Sequence, residues 1–177
     1  MELIITDGGR RDAGYNGYCG DSVVRAIAIA AKRPYKIVYD ECAEMNANYY
    51  RTFFPNHRRA GVRSARDGVC TNHAQFLAYM KSMDFVWHPP RRLGRACKLY
   101  LEESDIPMGR LIVALSNYWV AVIDGSICDN RDPRNDFSRW PRRRVFGWWM
   151  LENAEALIDT LRIIRSEKEI NHDYDNS

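Results

Sequence analysis

The stretch of sequence that decides the fold reads Asn16-Gly17-Tyr18-Cys19-Gly20-Asp21-Ser22-Val23-Val24-Arg25-Ala26. It joins a polar, glycine-rich loop to an apolar run that continues to Ala31 and is typical of a buried helix. A side chain at this junction lies at a helix N-terminus, where free N–H groups and the helix dipole favour negative charge and lower the pKa of a thiol. The junction residue is Ser22, which together with Asp21 is also a candidate N-cap. The sequence therefore predicts an active-site loop and helix in which a serine stands where a reactive cysteine would be favoured.

The remaining pattern places helices first and strands second. After the first helix, helical spacing predicts a second helix from 35 to 54 and a third over 72–83. Short strands are predicted over 3–5 and 85–87, β-rich runs over 110–113, 119–123, 126–129 and 143–149, and a terminal helix over 152–165. Asp124-Gly125 is a strong signal for a tight turn between two of these strands. This order of elements predicts the α+β class.

Composition limits the classes of protein to be considered. The chain has 177 residues, of which 46% are hydrophobic and 28% charged, so we expect one domain over 1–165 and a polar tail over 166–177. No apolar run approaches the about 18 residues of a membrane span, and the N-terminus does not resemble a signal peptide. Five widely spaced cysteines without a CxxC pair indicate reduced thiols in the cytoplasm.

A second stretch carries a more specific pattern. It reads Ser116-Asn117-Tyr118-Trp119-Val120-Ala121-Val122-Ile123-Asp124-Gly125, and Asp129 and a basic run from Arg142 to Trp148 follow it. Together with Asp21-Ser22-Val23-Val24-Arg25-Ala26, it resembles papain-like cysteine peptidases, and more closely a set of small phage and bacterial papain-like proteins. The resemblance covers residues 15–150. It implies a papain-like fold in which N-terminal helices pack on a C-terminal antiparallel sheet.

The resemblance also implies roles for individual residues. Ser22 stands where the family has its nucleophilic cysteine, and Tyr118 stands where it has the histidine base. Asn16 takes the position of the oxyanion-hole amide, and Asp129, with Asn130 as the alternative, takes that of the group orienting the base. A helix dipole contributes only ~1 kcal/mol to a serine nucleophile, and a tyrosine with an ordinary pKa of about 10 keeps its proton at neutral pH. Hydrolysis of the papain type is therefore not expected.

Two alternatives keep an enzymatic function open. In the first, the chain is a cysteine peptidase or isopeptidase captured as an inactive variant, with serine in place of cysteine at position 22. In the second, Cys19 is the nucleophile and His57, His73 or His88 is a displaced base, although the family has a non-catalytic loop cysteine at the position of Cys19. No two histidines have the spacing of metal ligands, so neither a metal nor a cofactor is expected.

Several side chains are candidates for binding. Cys19, Asp21 and Trp119 lie near the predicted cleft, where Tyr118 and Trp119 could serve either as strand packing or as the flat surface of a binding anchor. The arginines are grouped in three clusters: Arg58, Arg59, Arg63 and Arg66; Arg91, Arg92 and Arg95; and Arg139, Arg142, Arg143 and Arg144. Interleaved with aromatic residues, these clusters could bind nucleic acid, although a net charge of +3 is mild and arginine runs are often simply solvated.

These features predict a catalytically impaired papain-like protein that is encoded by a phage and acts in the host cytoplasm. We expect it to act by binding a host or phage protein and not to bind a membrane. Nucleic-acid binding through the arginine clusters is the remaining alternative.

Overall fold

The chain folds into three helices and six strands in the part that the structure describes. The computed structural model describes residues 1–90, 99–101, 106–135 and 143–152. The helices are α1 (Ser22–Ala31), α2 (Tyr35–Phe53) and α3 (Ala74–Lys81). The strands are β1 (Leu3–Ile5), β2 (Phe85–His88), β3 (Arg110–Leu115), β4 (Tyr118–Ile123), β5 (Ser126–Asp129) and β6 (Val145–Leu151). The predicted α+β class is confirmed.

The strands form one sheet in the order β1-β5-β4-β3-β6-β2. Strand β1 pairs with β5 in parallel, and the other described pairings are antiparallel. The prediction of an antiparallel C-terminal sheet therefore needs a correction, because β1 and β2 come from earlier in the chain and occupy its two edges. The physical reason is that the outer strands of the central group have unpaired N–H and C=O groups, which an extended segment from anywhere in the chain can satisfy.

The helices cover one face of the sheet, and a second apolar cluster forms on the other. Val24 and Ile27 of α1 are fully buried in a cluster with Ile112, Ala121 and Cys128 of the central strands. The strand residues that alternate with these form the second cluster, which includes Leu111, Val113, Val120, Val122 and Ile127. Both faces of the central strands are thus buried, which explains why their sequences are apolar almost throughout.

A tight hairpin joins β4 to β5 and positions the candidate site. Asp124 and Gly125 both have positive φ, 46° and 78°, as a two-residue type I′ turn requires. The turn pairs Ala121 with Cys128 across the two strands. The predicted turn is confirmed, and its register returns Asp129 to the end of the sheet where β4 begins.

Most element bounds differ from the predicted ones by a few residues. Helix α3 is shorter than the predicted helix over 72–83 because His73 caps it, with Nδ1 accepting the N–H of Phe76 at 3.3 Å. Strand β6 begins and ends two residues later than predicted. Apart from Glu152, the predicted terminal helix over 152–165 lies outside the described residues, as does the predicted tail over 166–177.

Gly147, in β6, provides a steric test of the pairing between β6 and β2. Its φ is 144°, and a Cβ atom there would lie 2.5 Å from Cζ2 of Trp87 and 2.7 Å from the carbonyl oxygen of His88. We expect Gly147→Ala to lower the free energy of unfolding by about 3 kcal/mol through overpacking and backbone strain. Gly9→Ala is the matched control, since Gly9 also has a positive φ, 84°, but a Cβ atom there would have no atom within 4 Å. This substitution should lower the free energy of unfolding by only about 1 kcal/mol. Urea unfolding measures both variants, and equal losses would contradict the steric account.

Candidate functional site

The N-terminus of α1 carries a buried carboxylate. Asp21 occupies the N-cap position and is fully buried, but its side chain makes no capping hydrogen bond. Its oxygens accept hydrogen bonds from Arg10 Nε at 2.8 Å, from Arg25 Nη1 and from the hydroxyl of Tyr35. Asp21 is therefore the N-cap residue, as predicted, but its side chain does not cap the helix, because two guanidinium groups and a phenol occupy both of its oxygens.

Ser22 is the first residue of α1 and lies against β4. Its side chain is nearly buried, and the residue is 8% exposed. The Oγ atom accepts a hydrogen bond from the backbone N–H of Trp119 at 3.3 Å. The structure thus brings together the two stretches that carry the family resemblance, and Ser22 marks their point of contact.

Tyr118, Asp129 and Arg25 form a ring of hydrogen bonds, and Arg131 Nε also donates to the Tyr118 hydroxyl at 3.4 Å. The hydroxyl of Tyr118 donates to Oδ2 of Asp129 at 2.7 Å and accepts from Nη2 of Arg25 at 2.9 Å. Arg25 Nε donates to Oδ1 of Asp129 at 3.1 Å, and the backbone N–H of Asn130 donates to the same oxygen at 2.7 Å. The structure therefore places Asp129 beside residue 118, as the resemblance implies. The side chain that Asp129 holds is a tyrosine.

These contacts join six side chains, which we call the Arg25 network. Its members are Arg10, Asp21, Arg25, Tyr35, Tyr118 and Asp129. Two guanidinium groups balance two carboxylates, and Arg25 contacts both of the latter. Because a buried charge is tolerated only when it is paired and hydrogen bonded, the network holds α1 to the β4–β5 hairpin.

Burial changes the pKa values of side chains in the network. It raises the pKa of Tyr118 to about 12, and the negative charge of Asp129 contributes to the rise. Burial also raises the pKa of the Asp129 carboxyl above its ordinary value, against the opposing effects of Arg25 and of the Tyr118 hydrogen bond. For Arg25, burial opposes the charge, but the two carboxylates and Tyr118 raise its pKa. Tyr118 therefore keeps its proton at neutral pH and cannot act as a general base.

Tyr118 and Trp119 point to opposite faces of the sheet, as neighbours on one strand must. The Tyr118 ring belongs to the cluster opposite the helices, and its hydroxyl reaches Arg25 at the end of the strand. The half-buried Trp119 ring packs on the helix side, edge-on to Phe76 with ring centroids 5.6 Å apart. Of these two residues of β4, Trp119 therefore has its side chain on the face of the sheet that α1 covers. The ring of Tyr118 packs in the apolar cluster on the opposite face.

The loop before α1 lies at the surface. Asn16 is exposed, and its side-chain amide lies 3.5 Å from a carbonyl oxygen within the same loop. Arg10 Nη2 donates to the backbone carbonyl groups of Asn16 at 3.2 Å and of Gly17 at 2.9 Å, which links the loop to the Arg25 network. The hydrogen bond of the Asn16 amide therefore goes to the loop, and no contact with Ser22 accompanies it among the described residues.

Cys19 has an unfavourable environment for a nucleophile. Burial and the neighbouring Asp21 raise the pKa of its thiol, whereas a reactive cysteine needs a lowered one. The three candidate histidines have other contacts: His57 stacks on Tyr50, His73 caps α3, and His88 lies 3.3 Å from Glu152. These contacts give no support to a Cys19 nucleophile with a displaced base.

The arginines of the basic strand have different surroundings. The guanidinium of Arg143 lies 4.9 Å from the ring centroid of Tyr118 and donates to the carbonyl oxygen of Ser116. Arg144 is exposed, and its carbonyl oxygen accepts the N–H of Ser116 at 3.0 Å. Arg142 lies outside the described residues. Arg143 therefore contributes to the packing of Tyr118, whereas Arg144 offers an exposed cation.

Sequence reasoning assigned no role to several residues of the site. Arg25 has the clearest signal, because it is the one charged residue in the ten-residue helix α1. Arg10 and Tyr35 have none, because nothing in their local sequence indicates a contact with Asp21. Arg131 was missed for the same reason, although its guanidinium lies 5.0 Å from the ring centroid of Tyr118 and 6.0 Å from that of Tyr18.

Two kinds of feature are not found in the described ranges. No group of three or more histidine, cysteine, aspartate or glutamate side chains there is arranged to hold a metal ion. None of the helices there combines the length and apolar character needed to cross a bilayer.

Comparison with known proteins identifies no relative. The chain matches no family model, no curated protein and no solved structure. The papain-like fold therefore stays a prediction from the two sequence stretches.

Loss of Arg25 is expected to destabilise the fold strongly. Arg25→Ala leaves Asp21 and Asp129 buried without the cation that they share, which should lower the free energy of unfolding by about 3–5 kcal/mol. Lys36→Ala is the matched control, because Lys36 and Asp40 have the same i,i+4 spacing as Arg25 and Asp21 but are exposed, and it should have little effect. Guanidinium chloride unfolding followed by tryptophan fluorescence measures both. Equally small losses would contradict a structural role for the network.

The raised pKa of Tyr118 predicts a specific alkaline pH dependence. Between an unfolded-state pKa of about 10 and a folded-state pKa of about 12, the native state keeps a proton that the unfolded state loses. The corresponding stability is complete below pH 10 and is lost as the pH rises towards 12, at about 1.4 kcal/mol per pH unit. Stability should therefore fall more steeply over this window in the unmodified protein than in Tyr118→Phe. Identical slopes in denaturant titrations at several pH values would show that Tyr118 is not the group responsible.

Proposed function

We propose that this chain is a catalytically impaired papain-like protein that acts by binding a protein partner. The observation that carries the proposal is that the residues at the family's nucleophile and base positions are held in structural contacts. Ser22 Oγ accepts the N–H of Trp119, and Tyr118 is hydrogen bonded to Asp129 and Arg25. The contact between the start of α1 and β4 also supports the papain-like fold, since the resemblance predicts that this helix packs on the sheet that holds Tyr118 to Asp129.

The chemistry of the site disfavours hydrolysis. A serine nucleophile needs a base that takes its proton, and the raised pKa of Tyr118 keeps that side chain protonated. The Asp129 carboxylate is paired with Arg25 on the face of the sheet that carries Tyr118. In measured systems, loss of members of a catalytic triad lowers turnover by roughly 10⁴–10⁶. With serine in place of the family's cysteine at position 22 and tyrosine in place of its histidine at position 118, binding is the function that the geometry supports best.

The surface beside the site has the side chains that protein interfaces use. Tyr18 is 83% exposed, and the guanidinium of Arg131 lies 6.0 Å from its ring centroid. Tyrosine and arginine are enriched among the residues that dominate the energy of protein binding. We therefore assign the partner to the surface formed by Tyr18 and Arg131, with the partly exposed Cys19 beside them. The resemblance to small phage proteins makes a host or phage protein the expected partner.

One observation favours a second candidate function. Ser22 differs from cysteine by a single atom and stands at the N-terminus of α1, where a thiolate would be stabilised. A cysteine peptidase or isopeptidase captured as an inactive variant would have this arrangement. Such a peptidase would still need a histidine near Ser22. At the start of β4, the side chain that lies on the same face as α1 is that of Trp119, which is not a histidine.

Turnover assays separate the two candidates. A broad panel of peptide and isopeptide substrates should give no turnover with the unmodified chain, because Tyr118, at the position of the base, keeps its own proton at neutral pH. The same result is expected for Ser22→Cys alone. The matched variants are Ser22→Cys/Tyr118→His and Ser22→Cys/Trp119→His, which place a histidine on either face of β4. Turnover by the unmodified chain, abolished by Ser22→Ala, would contradict the proposal. Turnover by a double variant, with none by the unmodified chain, would show that the chain can still bind a substrate but lacks the catalytic side chains.

Site-specific photo-crosslinking tests the proposed binding surface. A benzophenone amino acid at position 18 should yield a discrete crosslinked protein in a lysate of the natural host, because Tyr18 is exposed at the centre of the surface. Position 37 is the matched control, since Ile37 is also exposed but lies on α2. The crosslink should be lost when excess unlabelled chain is added and kept when that competitor carries Tyr18→Ala. Equal yields from positions 18 and 37 would contradict the assignment.

A further inference from the structure

The end of α2 and the loop that follows it form an exposed surface of arginines and aromatic rings. We call this surface the arginine–aromatic patch. Its members are the half-buried Tyr50 and Arg59 and the exposed Arg51, Phe53, Phe54, His57, Arg58, Arg63 and Arg66. None of them belongs to the Arg25 network, so the patch is available for a separate interaction.

The aromatic rings of the patch are exposed to an unusual degree. Phe53 and Phe54 are 61% and 49% exposed, although both rings contact Tyr49, with centroids 5.2 and 5.7 Å away. Tyr50 and His57 stack nearly parallel, with ring centroids 4.8 Å apart and planes inclined by 14°. Because large apolar rings are costly to expose in groups, such a cluster is typical of a binding surface.

The patch also carries an excess of positive charge. Residues 51–66 contain five arginines and neither aspartate nor glutamate. Among the described residues, two carboxylates reach them from outside this range: Asp67 lies 3.6 Å from Arg59, and Glu44 lies 2.7 Å from Arg63. Five cations against two anions leave an excess of three positive charges, which equals the net charge of the whole chain. The patch is therefore expected to attract polyanions.

The last part of the loop that carries these cations is anchored by a buried side chain, and the N–H of Gly20 donates to the carbonyl oxygen of Arg66 at 2.7 Å. Asn46 Nδ2 donates to the carbonyl oxygens of Ser64 at 2.8 Å and Gly68 at 2.9 Å. Its Oδ1 accepts the N–H of Cys70 at 2.9 Å. A preorganised loop loses less conformational entropy when it binds a ligand. The arginines are thus presented on a defined backbone next to the rings.

We propose that the arginine–aromatic patch binds single-stranded nucleic acid. Arginines along the loop would contact the phosphates, and the exposed faces of Phe53 and Phe54 would stack on unpaired bases. A duplex would match the charges but hides its base faces in the stack. An acidic protein surface would match the charges but has no flat faces to cover the rings. The combination of cations with exposed rings is therefore matched best by a flexible, unpaired strand.

Fluorescence anisotropy with a labelled oligothymidylate of about 20 nucleotides tests the proposal on the full chain. We expect binding that weakens steeply as the salt concentration rises. Phe53→Ala should weaken it about tenfold through loss of stacking. Arg58→Ala should reduce the slope of log affinity against log salt by about 0.7 through loss of one phosphate contact. Lys36→Ala, which removes an exposed cation at the other end of α2, is the matched control and should change neither quantity.

The remaining outcomes would overturn the proposal. These are the absence of salt-dependent binding, equal affinity for a duplex of the same length, and equal effects of Arg58→Ala and Lys36→Ala. Competition by polyglutamate at the same charge concentration, with the same sensitivity to Phe53→Ala, would show that the patch binds an acidic polypeptide. Tyr18→Ala should leave strand binding unchanged, so this result is independent of the surface proposed for the protein partner.

Discussion

The fold depends on burying one guanidinium group, that of Arg25, between two carboxylates. Removing a guanidinium from water is costly unless its charge is matched and its donors are satisfied. Asp21, one helical turn earlier, and Asp129, from β5, together meet that requirement. The same interaction that satisfies Arg25 therefore holds α1 against the hairpin, and it places Ser22 in contact with the backbone of Trp119.

This constraint also explains why the site does not suit catalysis. A catalytic base needs a pKa near neutral pH and access to the nucleophile. Tyr118 has neither property, because burial raises its pKa to about 12 and its hydroxyl is shared between Asp129 and Arg25. The groups at the positions that resemble the family's catalytic ones thus stabilise the fold.

Local patterns predicted most of the elements but few of the long-range contacts. Apolar spacing predicted the helices, and Asp124-Gly125 predicted the turn that returns Asp129 to Tyr118. The parallel pairing of β1 with β5 could not be predicted, because an edge strand is chosen by position in the sheet and not by its own sequence. The contact of Arg25 with Asp129 was equally hidden, since Asp129 is 104 positions away along the chain. The lone charge in an apolar helix was the readable sign that a buried ion pair exists.

A double-mutant cycle between Arg25 and Asp129 tests the central claim most directly. The free energies of unfolding of Arg25→Met, Asp129→Asn and the double variant would be compared with that of the unmodified chain. If the two side chains form the buried pair described above, the single losses will be strongly non-additive, with a coupling energy of about 2 kcal/mol or more. Additive losses, with a coupling energy near zero, would contradict the account.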